Sequence, residues 1–361
     1  LARSGLDTVS FYGDHLIRFF AACGHVSDAY KAFYQIVSPT VYSWNSIFTA
    51  NAKNGDGASS LEMYFRMQGE SSVSPDRITF SCILKCCSMV GDLDVGMMIH
   101  GQVLDSGNMA DSAIGNALVD MYAKCGHLRD AGHVFDRLPH RDVISWGAII
   151  GGYAIQGHGQ KALSLYHKML QDGILPNDVI FLCLMKACCN VSFIRQGKII
   201  HDQLLRYGFG FELTIGSALV DMYIKCGLLE EARKVFESLS IRNVVAWGAI
   251  IGGYAQHDNG QMVLELFAKM QKEKATPNII ILLSVLKACG SVGALTLGRL
   301  VHCQVIEMIL SLEVIVGSTI VDMYSRCGSM DEAQNVFDKM SEKNVVTWGS
   351  LVSGYARTAN C

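Results

Sequence analysis

Asn116–Gly126 reads NALVDMYAKCG, Ser217–Gly227 reads SALVDMYIKCG and Ser318–Gly328 reads STIVDMYSRCG. The strings start 101 residues apart, and the four tryptophans, Trp44, Trp146, Trp247 and Trp348, keep the same register at spacings of 102, 101 and 101. A second recurring string follows the first: VISWGAIIGGYA from Val143, VVAWGAIIGGYA from Val244 and VVTWGSLVSGYA from Val345. A third element carries Cys86-Cys87, Lys186-Ala187-Cys188 and Lys287-Ala288-Cys289, then a glycine-bearing turn, then His100, His201 or His302. Each period of about 101 residues therefore holds three units, a self-similarity that signals a repeat array.

Within a unit the apolar spacing predicts helix, turn, helix. Trp146, Ile149, Ile150 and Tyr153 step at i, i+3, i+4 and i+7, as do Ala162, Leu165, Tyr166 and Met169, so each helix is expected to carry one apolar stripe. Gly157 and Gly159 break the period between them, and Gly173 and Pro176 end the second helix. Such a short pair cannot bury its own stripe, so neighbours must complete it. The expected fold is all-α, a right-handed α-solenoid superhelix of helix-turn-helix repeats.

Composition agrees with a chain that buries most of itself. Half of the 361 residues are hydrophobic and 17% are charged, which excludes a disordered or charge-laced coiled-coil chain. Five prolines without a Gly-X-Y period exclude collagen, so the 35 glycines serve as caps and turns. A formal charge of −3 argues against nonspecific binding through phosphate neutralisation, though not against base reading. Thirteen cysteines, an odd number behind no secretory signal, point to reduced thiols. The uncharged stretch Val143–Gln160 contains five glycines and a histidine and scans as a helix ending near Gly157. The expectation is a chain with no membrane span and no targeting segment in the stretch from Leu1, itself read as starting partway through a repeat.

On these motifs the chain resembles the pentatricopeptide repeat family, of the plant type in which short, standard and long variants alternate. The short variant matches 10–40, 112–142, 213–243 and 314–344, each with a Cys-Gly turn such as Cys125-Gly126. The standard variant matches 41–76, 143–177 and 244–278, with a truncated copy at 345–361. The long variant matches 77–111, 178–212 and 279–313, and residues 1–9 resemble the tail of another. The tetratricopeptide repeat, a peptide-binding helix pair, has a uniform period of about 34 and a Trp-x-x-Leu-Gly signature that this chain lacks.

The resemblance implies single-stranded RNA as partner, bound by a monomer with about one base per repeat. The fifth residue of a repeat, near the start of its first helix, and the last residue, in the loop before the next, would read the base edge together. Asn45 with Asp76 and Asn116 with Asp142 match the family's uracil combination; Ser217 with Asn243 and Ser318 with Asn344 match its adenine combination. Asp14 with Thr40 is an unusual pair, and Asn177 and Asn278 face Gly147 and Gly248, which lack a reading side chain. The long repeats place Ser81, Leu182 and Leu283 fifth and end in Asp111, Glu212 and Glu313; no base is assigned to them. With the 5′ end at the amino-terminal side, the expected register is xUxUxxAxxA. Second-position Tyr42, Ile144, Val245 and Ile315 are expected to stack on the bases. The bland alternative is that Asn116 and Ser217 merely satisfy backbone groups at a helix start.

Plant proteins of this alternating type are mostly organellar RNA-editing factors, so the resemblance implies C-to-U editing-site specification in a mitochondrion, or else a chloroplast. A deaminase would be supplied by a partner or by a further carboxy-terminal region. Processing, stabilisation or splicing of organellar RNA is the alternative. No enzyme activity, cofactor or metal is expected, because the chain has no Cys-x-x-Cys and no His-x-Glu deaminase signature. Cys23, Cys125, Cys226 and Cys327, like the three histidines, recur by register in repeats too far apart to converge on one ion, and are read as buried packing residues. Gly157-His158-Gly159 is read as a helix-helix turn, since no strand precedes it and no third glycine follows as a phosphate loop requires. The mild acidity is accommodated if the first helices point their positive amino-terminal ends toward the RNA.

Overall fold

The computed structural model describes residues 10–70, 73–191, 194–209, 213–308 and 314–359. The expected tail at 1–9 and the long-repeat ends Glu212 and Glu313 lie outside the described residues. Every described element is helical, and the helices come in pairs.

The chain divides into two compact units, 1–191 and 192–361. The first contains the pairs Ser10–Ala22 with Val26–Gln35, Val41–Lys53 with Gly57–Glu70, Arg77–Val90 with Leu93–Asp105, Ser112–Lys124 with Leu128–Arg137, and Val143–Ile155 with Gly159–Gln171, and then Asp178–Val191. The second begins with Ile194–Arg206 and continues with Leu213–Lys225 and Leu229–Ser238, Val244–Gln256 and Gly260–Lys272, Ile279–Val292 and Leu295–Met308, and Val314–Arg326 and Met330–Lys339, ending in Val345–Ala359. Among the described residues no helix is long and apolar enough to cross a membrane.

The two helices of a pair bury differently. The second helix Leu128–Arg137 buries one stripe, Leu128, Ala131, Val134 and Phe135. The first helix Ser112–Lys124 buries Ile114, Gly115, Asn116, Leu118, Val119, Met121, Tyr122 and Ala123, far more than one stripe. The single-stripe expectation therefore holds only for second helices. In each unit successive first helices pack on one another and also against their own and the preceding second helix, which leaves them a narrow free face.

Small residues make that inner layer possible. A Cβ built on Gly152 would lie 2.4 Å from the Cβ of Ala123, so the first helices of these two repeats meet almost backbone to backbone. The Cys-Gly turn has a separate cause. Gly126 has φ +85°, donates its N–H to Ala123 O at 3.2 Å, and is followed by His127 N–H donating to Tyr122 O at 2.8 Å. That double closure of the helix end needs a left-handed residue, which glycine adopts without the Cβ penalty.

Side chains mark the junctions. Phe33 meets Trp44, Phe135 meets Trp146 and Phe236 meets Trp247 edge to face, each with ring centroids 4.7 Å apart. Such pairs add roughly 0.5 to 1.5 kcal/mol beyond burial. At the long-to-short junctions His100, His201 and His302 bond through Nδ1 to the hydroxyls of Tyr122, Tyr223 and Tyr324 at 2.9, 2.8 and 3.0 Å.

Candidate nucleic-acid interface

The last residue of a repeat is the N-cap of the next first helix. Asp76 Oδ1 accepts the Thr79 N–H at 2.8 Å, Asp142 Oδ1 that of Ser145 at 2.8 Å, Asn243 Oδ1 that of Ala246 at 2.8 Å, and Asn344 Oδ1 that of Thr347 at 2.9 Å. Asn177 and Asn278 cap in the same way, to Ile180 and Ile281, each at 3.0 Å. Helix physics dictates the residue type: only a short side chain with an acceptor oxygen satisfies the orphan N–H groups of the first turn.

The fifth residue reaches this cap across the repeat boundary. Asn45 Nδ2 donates to Asp76 Oδ1 at 3.0 Å, and Asn116 Nδ2 to Asp142 at 3.2 Å for Oδ1 and 3.4 Å for Oδ2. Ser217 Oγ lies 3.2 Å from Asn243 Oδ1 and Ser318 Oγ 3.4 Å from Asn344 Oδ1. All four fifth residues are buried, whereas the last residues are half-buried or exposed. At these helix starts the last residue satisfies the orphan N–H, and the fifth residue bonds to that cap; the bland alternative still describes one of the Ser217 bonds. Ser217 does also donate to Leu213 O one turn back, at 2.7 Å.

The capping bond consumes one oxygen and leaves the other terminal atom. For Asp76 that atom is Oδ2, an acceptor; for Asn243 and Asn344 it is Nδ2, which makes no protein hydrogen bond among the described residues. Burial works to raise the Asp76 pKa, but hydrogen bonds from the Thr79 backbone and from the Asn45 and Thr79 side chains prevail and hold it below the usual carboxylate value. The carboxylate stays an acceptor.

Other pairs behave differently. Asp14 is buried, Oδ1 lacks a partner, and burial raises its pKa against the opposing effects of a Ser43 hydrogen bond and of His15. Thr40 caps Val41–Lys53 in a reciprocal box with Ser43, so Asp14 and Thr40 meet only through that serine. Gly147 and Gly248 leave Asn177 and Asn278 without a cross-repeat lock.

Tyr42, Ile144, Val245 and Ile315 are exposed at 45%, 63%, 61% and 70%. Ile78, Val179, Ile280 and Val346 occupy the same second position and are exposed as well. Sequence reasoning passed over these four, although the repeat register alone identifies them. In the first unit one groove is lined by Asn116, Gly147 and Asn177 together with Ile144, Val179 and Lys85. A second is lined by Asn45, Tyr42 and Ile78, with Arg18 donating to the Tyr42 hydroxyl at 2.6 Å.

Cations on this face were also overlooked. Lys124, Lys225 and Arg326 pair with Asp120, Asp221 and Asp322 one turn earlier, at 2.8, 2.7 and 2.7 Å. Exposed Lys85, Lys186 and Lys287, at the ninth position of the long repeats, form no ion pair among the described residues. Among the described residues no cluster of three His, Cys, Asp or Glu could hold a metal ion. The turn cysteines are less buried than expected, Cys125, Cys226 and Cys327 being intermediate and Cys23 exposed. Cys327 Sγ packs on Cys289 O of the preceding long repeat at 3.5 Å, and the described residues supply no such helix ahead of Ser10.

Comparison with known proteins fits this architecture. Pentatricopeptide repeat family models match residues 15–89, 116–143, 141–190, 217–244, 241–292 and 318–345. A chloroplastic pentatricopeptide repeat-containing protein of Arabidopsis thaliana is 34% identical over 346 residues, 96% of this chain and 56% of its own length. A mitochondrial one from the same plant is 34% identical over 349 residues, 95% of this chain and 34% of its own. The chain thus spans only part of these relatives. The fold matches that of the pentatricopeptide repeat protein PPR10 in complex with an 18-nt psaJ RNA element, with a TM-score of 0.79 at 20% identity over 98% of this chain and 54% of that one. Repeats, helix pairs and matches agree, and the chain belongs to the pentatricopeptide repeat family.

Proposed function

We propose that this protein binds single-stranded RNA sequence-specifically, one base per repeat, through the fifth and last residues. One observation carries the reading: after capping, the last residue presents a single outward group whose sign is set by Asp or Asn. An outward Asp76 Oδ2 accepts from a uracil N3–H, and an outward Asn243 Nδ2 donates to an adenine N1. Serine at the fifth position is shorter than asparagine and leaves room for a two-ring base. The exposed second-position residues Tyr42, Ile144, Val245 and Ile315, joined by Ile78, Val179, Ile280 and Val346, flank the bases and stack on them. A wrong base leaves the outward group unpaired, at roughly 1 to 3 kcal/mol.

In chain order the pairs give xUxUxxAxxA, with Asp14–Thr40, the glycine-bearing repeats and the long repeats permissive. The reading extends to specifying C-to-U editing sites in organellar RNA, with the deaminase supplied by a partner; the chloroplastic and mitochondrial relatives support an organelle without choosing one. The test is Ser217→Asn combined with Asn243→Asp. The preference at the seventh nucleotide should turn from adenine to uracil, measured by binding to RNAs that differ only there, and an unchanged preference refutes the readout.

A further inference from the structure

We propose that the third residue of the following first helix is a third member of each reading constellation, a positioning residue that sets how sharply the pair discriminates. Four equivalent sites differ at this position: Thr79, Ser145, Ala246 and Thr347, all fully buried. The inference rests on the RNA-reading proposal above and deepens it.

Counting hydroxyl protons shows why the residue matters. At Asn45–Asp76 the Thr79 hydroxyl lies 2.8 Å from Asn45 Oδ1 and 3.0 Å from Asp76 Oδ1, so its one proton bridges both members of the pair while Nδ2 faces Asp76 Oδ1 and Oδ2 is left outward. Thr79 Oγ1 in turn accepts the Asp76 N–H at 3.2 Å. At Asn116–Asp142 the Ser145 hydroxyl turns away to Asp142 O at 2.8 Å, and the Asn116 amide is spread over both carboxylate oxygens. The outward oxygen is there partly occupied.

The adenine pairs make the same contrast. Ser217 has one proton for two acceptors, Leu213 O at 2.7 Å and Asn243 Oδ1 at 3.2 Å, and Ala246 supplies no second hydroxyl. At Ser318–Asn344 the serine proton likewise has two acceptors, Val314 O at 2.5 Å and Asn344 Oδ1 at 3.4 Å, but the Thr347 hydroxyl, 2.7 Å from Ser318 Oγ and 2.9 Å from Asn344 Oδ1, brings a second proton into the pair. A side chain held by more bonds pays less ordering cost when a base arrives and adapts less readily to the wrong one.

The full chain is tested with RNAs varied at one nucleotide. Thr79→Val, which keeps the volume and removes the proton, should lower the uracil-over-adenine affinity ratio at the second nucleotide roughly fivefold to tenfold. Ala246→Thr should raise the adenine-over-uracil ratio at the seventh by about the same factor; Thr347 shows that the register accepts a buried threonine. Should Thr79→Val fail to fold, Ala246→Thr decides alone. Ratios within about twofold of wild type, or an equal loss for all four bases, overturn the inference. Asn45→Ser with Asp76→Asn is the control: failure to move the second-nucleotide preference from uracil to adenine refutes base reading itself, whatever the threonines do.

Discussion

Asn243 has one amide with two ends: Oδ1 caps a helix, and Nδ2 is the end that the proposed readout assigns to a base. The two ends separate by substitution. Asn243→Asp keeps the capping oxygen, so stability should stay within a few tenths of a kcal/mol while adenine preference at the seventh nucleotide is lost. Asn243→Ala removes both, and should cost about 1 kcal/mol in urea unfolding as well as the preference. Equal destabilisation by the two variants would show that the capping oxygen is not what matters. The identity of Asn243, Asp76 and their partners was legible in the sequence because repeat register fixes position. Their division of labour was not, since capping and locking depend on which oxygen meets which N–H. Thr79 and Thr347 went unremarked for the same reason: a buried hydroxyl in a helix reads as packing until its acceptor is known.

At the scale of the helix pair, glycines that look alike in sequence do opposite things. Gly132 lies in Leu128–Arg137 with nothing within 4 Å of a built Cβ, so Gly132→Ala should stabilise by up to about 1 kcal/mol through helix propensity. Gly152→Ala gains the same propensity but drives its Cβ to 2.4 Å from that of Ala123, which must separate two first helices, a cost of roughly 1 to 3 kcal/mol. The net sign should reverse between the two in parallel urea titrations. Helix existence and turns were legible from apolar period and glycine placement; the two-sided burial of first helices was not, because period within one helix is silent about how many neighbours it has. The His–Tyr junctions add a pH dependence. Burial, aided by Arg137 and opposed by Asp130, holds His100 below the ordinary imidazole value of 6.5, and burial with Lys339 does so for His302. The unfolded chain then binds more protons than the folded one, so stability should fall as pH drops below about 6.5 and level off once the folded pKa is passed. His100→Gln with His302→Gln should flatten that slope; an unchanged slope would assign it to other groups.

For the whole molecule the proposed function raises the question of how a chain of charge −3 would hold a polyanion. Besides Arg18 and Lys53, which line the groove of Asn45 and Tyr42, two sets of cations recur by register on the first helices. Lys124, Lys225 and Arg326 are spent on i,i+4 pairs with Asp120, Asp221 and Asp322, whereas Lys85, Lys186 and Lys287 are not. Exposed pairs of the first kind are worth only about 0 to 1 kcal/mol, yet each neutralises a charge that the proposed RNA partner could otherwise use. Composition alone could not show this partition, because the sum of charges is blind to which of them face one another. If only the three unpaired lysines contact phosphates, the logarithm of affinity should fall with the logarithm of salt at a slope of about −2, since a single strand gives roughly −0.7 per contact. Lys85→Ala with Lys287→Ala should then reduce the steepness by about 1.4 while leaving the uracil and adenine preferences in place, as loss of backbone contacts weakens all sequences alike. A wild-type slope of about −4 would mean that the three paired cations also leave their aspartates for the RNA, and Asp120→Asn with Asp322→Asn would then strengthen binding rather than leave it unchanged.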